Sequence, residues 1–279
     1  MTEDIAIVWI KDGVLVDRMP ENAVAFALSS LQHIPPDGRR DICIEDLINW
    51  GFKKSGVSVA EKMRLFNVER QDVIENIGDA AAYYTLLTIE VESSLKYFDG
   101  SVELLGHLSQ RGIKHYITSA IDQEVLYRWR ETEQGKVISD YLWEILGSRS
   151  GFQKGRDHFA YIQSQGATKI YYIADAVSEI RAGNECQDCG VVPVGFANVI
   201  TGKRVVEAFE RLRKAAPGVD IAPLYPIEIS AIDPDRLALP DVSGLESGLI
   251  QAGARKIISG DKQKIMLSLK DYFVSNGIL

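Results

Sequence analysis

The chain has 279 residues, enough for one large domain or for a core domain with a sizeable insertion. Its hydrophobic content of 46% and charged content of 25% are those of an ordinary soluble globular protein. A net charge of −8 argues against a nucleic-acid partner. No apolar run approaches the roughly 20 residues that cross a bilayer, so no membrane partner is expected. The start, MTEDIAIVWI, sets acidic residues before a short apolar run, unlike the basic start and longer run of a signal peptide, and a cytoplasmic location is expected.

Residues 5–10 (IAIVWI) form a continuous apolar run of strand length, as expected for a parallel strand buried on both faces. Asp12-Gly13 breaks that strand. Pro20 stands where a first helical turn begins, and ENAVAFALSSLQHI has the apolar spacing of an amphipathic helix that Pro35-Pro36-Asp37-Gly38 ends. From Arg39 to about Tyr97 the strand signal is weak, and DICIEDLINWGF, VAEKMRLFNVERQDVIENI and AAAYYTLLTIEVESSLKYF read as helices. After Phe98-Asp99-Gly100 the pattern changes: helix to Gly112, strand IKHYIT ending in Ser119-Ala120, one helix over DQEVLYRWRETEQG, and a short strand WEILGS. A loop and helix over GFQKGRDHFAYIQSQG lead to the buried strand TKIYYIAD, which ends in Asp175; helix SEIRAGNEC and strand VVPVGF follow. KRVVEAFERLRKAA reads as a helix, then Pro217, Pro223, Pro226, Pro234 and Pro240 argue against regular structure through Val242. The last stretch, from Glu246, reads as helix, short strand, helix.

Strand–helix alternation of this kind predicts an α/β fold with a parallel, Rossmann-like doubly wound sheet. Ligands of such sheets sit outside the carboxyl ends of the strands. The polar strand ends, Lys11-Asp12, Thr118-Ser119 and Asp175, should therefore converge.

DGVLVD after the first strand, a strand ending in Thr118-Ser119, Lys154, and a strand ending in Asp175 fall in an order that resembles the haloacid dehalogenase (HAD) superfamily of hydrolases, mostly phosphatases. DGVLVDRMPENAVAFAL looks like the family's first motif with its helix, YFDGSVELLGHLSQRGIKHYITSA like the approach to the second, and GLIQAGARKII like its closing element. The resemblance implies a HAD-like core over 1–19 and 97–279, with 201–242 as an irregular embellishment of that core, and an inserted α-helical cap over 20–96.

The family's first motif reads Asp-x-Asp-Gly-Thr/Val-Leu. Its first Asp attacks phosphorus and its second protonates the leaving group. Aligning Asp12-Gly13-Val14-Leu15 with that motif implies that Asp12 is the acid and puts Ile10 at the attacking position, where a side chain without a lone pair cannot act. Magnesium in the family is held by the first Asp, the carbonyl of the second and an acidic residue of the fourth motif. The resemblance thus implies Asp12, Asp175 and Glu179 as metal residues here, with one carboxylate lost and the magnesium site weakened.

Ser119 matches the family's phosphoryl-binding hydroxyl, though an ordinary strand-end serine reads the same. Lys154 matches the charge-neutralising lysine, with a surface lysine as the alternative. The resemblance makes Asp12, Ser119 and Lys154 the catalytic set and Lys11, Gly13, Ser119, Ala120 and Lys154 the phosphate-binding set. Lys11 either brings positive charge to that pocket or points to solvent, the commoner place for a lysine. Lys53, Lys54 and Arg64 read as a solvated cap face.

His33, His107, His115 and His158 lack metal-ligand spacing and read as packing or surface residues. Cys186 and Cys189 form a C-x-x-C with no companion zinc ligands and read as a reduced surface turn. The expected function is a degenerate phosphatase site, a pseudoenzyme that binds phosphate or a phosphorylated metabolite or acts as a scaffold. The alternative is an active magnesium-dependent phosphomonoesterase with a noncanonical nucleophile, such as water activated by Asp12. The segment from Pro217 to Pro240 is a candidate surface for a partner or for a homodimer.

Overall fold

The structure is a computed structural model that describes residues 4–39, 41–55, 57–71, 73–92, 94–216 and 231–279. The chain divides into two compact units: Met1–Asp17, Lys96–Val199 and Asp241–Leu279 make the first, Arg18–Leu95 and Ile200–Pro240 the second.

The first unit is built on a parallel sheet of β1 (Ile5–Ile10), β2 (Lys114–Asp122), β3 (Leu142–Ser148), β4 (Lys169–Ala174), β5 (Val191–Asn198) and β6 (Lys256–Gly260), in the order β3-β2-β1-β4-β5-β6. The expected α/β class holds. The order reverses between β1 and β4, whose registers pair Ile10 with Thr118 on one side and Trp9 with Ile173 on the other. Continuous apolar runs such as IAIVWI and KIYYIA suit strands covered on both faces, and from Ala6 to Trp9 no side chain has measurable exposure. Beneath the strand ends, the Trp9 indole N–H donates to His115 Nδ1 at 3.1 Å; both residues are fully buried, and burial lowers the imidazole pKa to about 4. His115 is thus a neutral packing residue, as its spacing suggested.

The helical unit holds α1 (Met19–Gln32), α2 (Ile44–Lys53), α3 (Val59–Arg70) and α4 (Ile77–Glu92), with their own apolar core. In the first unit, α5 (Ser101–Gln110) precedes β2, and α6 (Gln123–Arg130) and α7 (Glu133–Ser139) follow it. The sequence reads α6 and α7 as one helix; Thr132 breaks it, because its hydroxyl accepts the Gly135 amide at 3.1 Å and starts a new helix. Then come α8 (Arg156–Ser164), α9 (Val177–Asn184), α10 (Gly202–Ala215), α11 (Val242–Gln251) and α12 (Ile265–Ser275).

One assignment changes. Of residues 201–242, expected as an embellishment of the α/β core, the described ones up to Pro240, 201–216 and 231–240, fall in the helical unit. Helix α10 buries Val205, Ala208, Phe209 and Leu212, a single helical stripe, in that unit's core. Arg211 pairs with Glu21 of α1, a carboxylate with only 2% exposure. Glu45 accepts the Asp233 amide at 2.8 Å, and Asn49 bonds both the Arg236 carbonyl and the Ala238 amide. The carboxyl half of the Pro217–Pro240 segment is thereby tied to α2; residues 217–230 lie outside the described residues.

Candidate active site at the carboxyl ends of the strands

The chain leaves β1 through a tight turn. The Val16 amide donates to the Lys11 carbonyl at 2.8 Å, and the Gly13 amide donates to the Val16 carbonyl at 2.8 Å. The turn is pinned from behind where the Phe98 amide donates to the Leu15 carbonyl at 2.9 Å. Gly13 has φ +95, and a Cβ built there would lie 2.2 Å from Asp175 Oδ2. Glycine is needed twice over, for the backbone angle and because the Asp175 carboxyl fills the space that a Cβ would take. This contact brings the first and fourth motifs together as the strand ends require.

Ile10 closes β1 with 6% exposure and packs in the core of the first unit. Lys11 follows it and does not point to solvent: it is 5% exposed, its ammonium lies 2.9 Å from Asp12 Oδ1, and it stands 5.0 Å from the centroid of the Trp129 ring. The solvent placement that lysine statistics favour is therefore overturned. An opposite charge and an aromatic face at the same point offset the cost of burying the ammonium. Trp129 is itself fixed, its indole N–H donating to Gln134 Oε1 at 3.1 Å. Neither Trp129 nor Gln134 carries a sequence motif that marks it.

On the β4 side, Lys154 forms an ion pair with Glu179 of α9, both mostly buried. Asp175 lies within their field. Burial pushes its carboxyl up to about 8, the Glu179 carboxylate adds to the rise, and Lys154 opposes it. Tyr172, buried below, has its phenol raised well above the usual value by burial and by the Glu179 and Asp175 charges. Ser119 is half-buried, and its Oγ accepts the Ile121 amide at 3.1 Å; Ala120 is exposed. Of the expected residues, Lys11 with Asp12, Gly13 with Asp175, and Lys154 with Glu179 come together pairwise. Ser119 is linked to them through the pairing of Thr118 with Ile10.

No protein-family model matches the chain, and no curated protein matches it. Solved structures do. A HAD-family hydrolase from Deinococcus radiodurans with bound phosphate and sodium matches at a TM-score of 0.58 and 16% identity, covering 98% of this chain and 96% of its own. A hydrolase from Pseudomonas syringae matches at 0.57 and 16% identity, covering 97% of this chain and 98% of its own. A haloacid dehalogenase-like hydrolase from Streptococcus pneumoniae matches at 0.57 and 14% identity, over 98% and 100% of the two chains. The chain has the HAD-like fold.

HAD phosphatases use magnesium, so the donor set matters. Among the described residues no group of three His, Cys, Asp or Glu side chains could hold a metal ion. Glu179 keeps one buried oxygen without a hydrogen-bond partner beside Asp175, but its other oxygen is taken by Lys154. The β1 end offers an isoleucine side chain and an ammonium already paired with Asp12. Magnesium wants near-octahedral oxygen ligands at short range, and with no carboxylate at position 10, the Asp12 carbonyl and one Glu179 oxygen beside a carboxyl raised toward protonation fall short of that. The residues present do not fit a magnesium site built from Asp12, Asp175 and Glu179.

The remaining candidates resolve simply. Lys53 and Lys54 lie over the Trp50 ring, and exposed Arg64 pairs with Glu61. His33 and His158 are buried and His107 is exposed. Cys186 and Cys189, read as a surface turn, are unpaired but buried, at 3% and 5% exposure. Their short 3-10 turn tucks inward before β5, so they pack as small apolar groups. No helix among the described residues is long and apolar enough to cross a membrane.

Proposed function

We propose that this chain is a HAD-family protein whose phosphatase site has degenerated: it binds phosphate or a phosphorylated metabolite, or serves as a scaffold, and is catalytically impaired. The observation that carries this reading is Ile10, packed into the core at the carboxyl end of β1, where the family resemblance puts the attacking carboxylate. A hydrocarbon side chain cannot form the covalent intermediate that splits phosphate transfer into two easier steps. The retained groups support recognition of an anion more than its cleavage. Lys11 and Lys154 bring two ammonium groups to the strand ends, each held by a carboxylate. The bound phosphate in the Deinococcus radiodurans structure gives the ligand chemistry a precedent on this fold.

The test compares wild type with Ile10→Asp, in MgCl2, on a panel of phosphate monoesters. Wild type is expected to show no turnover above the Ile10→Asn control. Ile10→Asp is expected to gain on the order of a hundredfold or more, a modest share of what loss of a nucleophile costs other enzymes. Thermal unfolding of each variant confirms that it is folded. Robust wild-type turnover that survives Ile10→Ala and is lost in Asp12→Asn would reverse the reading in favour of Asp12-activated water.

A further inference from the structure

The misfit between these residues and magnesium has a counterpart in the same loop. Two lysines stand among the carboxylates that a divalent ion would have to use. Lys11 is the sharper case, because its neighbours fix it. Its Nζ is 2.9 Å from Asp12 Oδ1 and 5.0 Å from the Trp129 centroid, and the side chain is 5% exposed. Trp129 is anchored in turn by Gln134, whose backbone carbonyl accepts the Tyr97 hydroxyl at 2.7 Å. An ammonium so enclosed loses little entropy in holding its position and is poorly screened by solvent. Lys154 does the corresponding thing for Glu179. A magnesium ion entering this cluster would meet the Lys11 ammonium beside Asp12, whose carbonyl is an expected ligand, and would have to displace Lys154 to reach Glu179.

We infer that Lys11 is the resident counter-cation of this site, its ammonium held on the Asp12 carboxylate as a fixed positive charge in the loop at which related phosphatases bind a divalent ion, so that the cluster binds no magnesium. The inference rests on the reading of the β1 end as a degenerate phosphatase site. Two neighbouring departures are thereby joined: Ile10 removes a ligand, and Lys11 fills the charge left behind. Neither change alone gives a balanced site. Restoring a carboxylate at position 10 beside an intact Lys11 would leave the ammonium weakening the metal's hold without abolishing it, so the turnover that Ile10→Asp gains in MgCl2 should rise further in Ile10→Asp/Lys11→Met.

The experiment titrates MgCl2 into the full chain by calorimetry and follows thermal unfolding in MgCl2 or EDTA. Wild type is expected to give no saturable heat and the same midpoint in both solutions. Lys11→Met, which keeps the side chain's length without its charge, is expected to unfold at lower temperature than wild type and to recover part of the loss in MgCl2. The double variant Ile10→Asp/Lys11→Met is expected to bind magnesium saturably, and Lys11→Arg to behave as wild type. Saturable magnesium binding by wild type overturns the inference, whatever the variants do. So does a Lys11→Met protein with wild-type stability and no response to magnesium. Since no substrate is present, magnesium binding by wild type sinks this inference alone. Phosphatase turnover by a wild type that binds no magnesium sinks the functional reading alone.

Discussion

The carboxyl ends of β1 and β4 are neighbours in one sheet, with Trp9 opposite Ile173, and yet they have fared differently. At β4 the acidic pair is legible: Asp175 follows the strand, and Glu179 lies one helical turn on and meets Lys154. At β1 the strand closes on a core isoleucine, and the next side chain is a lysine turned inward. The fold constrains both ends alike, since each is buried and each is joined to the other through Gly13 and Asp175. What differs is which residues chemistry alone would hold in place. On the functional reading proposed above, a β1 end with no attack on phosphorus to make can join the hydrophobic core, whereas the β4 carboxyl keeps a packing partner and an electrostatic one.

The largest effect should come from the joint between the two ends. Gly13→Ala must hold a side chain at φ +95 and displace the Asp175 carboxylate, which a Cβ would approach to 2.2 Å. A loss of about 3 kcal/mol in urea unfolding is expected, with strain and steric overlap both contributing. Combining it with Asp175→Ala should recover the steric part; no recovery would show that the two ends are not joined at this point.

A smaller effect, with a definite sign, is expected at β4 itself. Asp175 has a folded pKa raised to about 8 by burial first and Glu179 second. The unfolded chain therefore gives up this proton first, and stability falls as pH rises from the ordinary carboxyl value toward the folded one, then levels off. Asp175→Asn should remove that slope and stabilise the protein at pH about 8 by on the order of 2 kcal/mol, with little change at pH about 4. Urea unfolding at the two pH values checks it; a variant equally destabilised at both would mean that the carboxylate is favourably held.

The smallest effect belongs to the β1 side. Trp129→Phe keeps a ring beneath Lys11 but loses the indole donor to Gln134. A cost of about 1 kcal/mol is expected from the weaker cation–π contact and the lost hydrogen bond, read as a fall in the thermal midpoint. An unchanged midpoint would mean that the Asp12 pair alone positions the ammonium.

Much of this contrast can be read along the chain. The apolar run into Ile10, the Asp12-Gly13 break and the strand running into Asp175 specify two buried parallel strands and where their polar ends lie. Lys11 resists such a reading because lysine is so rarely buried, and the partner that makes burial tolerable, Trp129, is far away in sequence. The inward Cys186 and Cys189 escape for a related reason: a short 3-10 turn gives no periodicity from which to read its buried side. The amphipathic stripe of α10 announces a buried face, but a stripe says nothing about which core receives it. Only the ion pair of Arg211 with Glu21, and the core it lies beside, decide that.

That last placement has a consequence for the order in which the protein is made. The helical unit draws α1 to α4 from residues before Lys96 and α10 from residues after Val199. A ribosome therefore finishes four of its helices long before it supplies the fifth. Until Val205, Ala208, Phe209 and Leu212 emerge, part of that unit's apolar interior has no cover, and Glu21 waits for Arg211. By then β1 to β5 have all been synthesised, so the α/β sheet is nearly complete in sequence before the smaller unit can close. The unit inserted first is the one completed late.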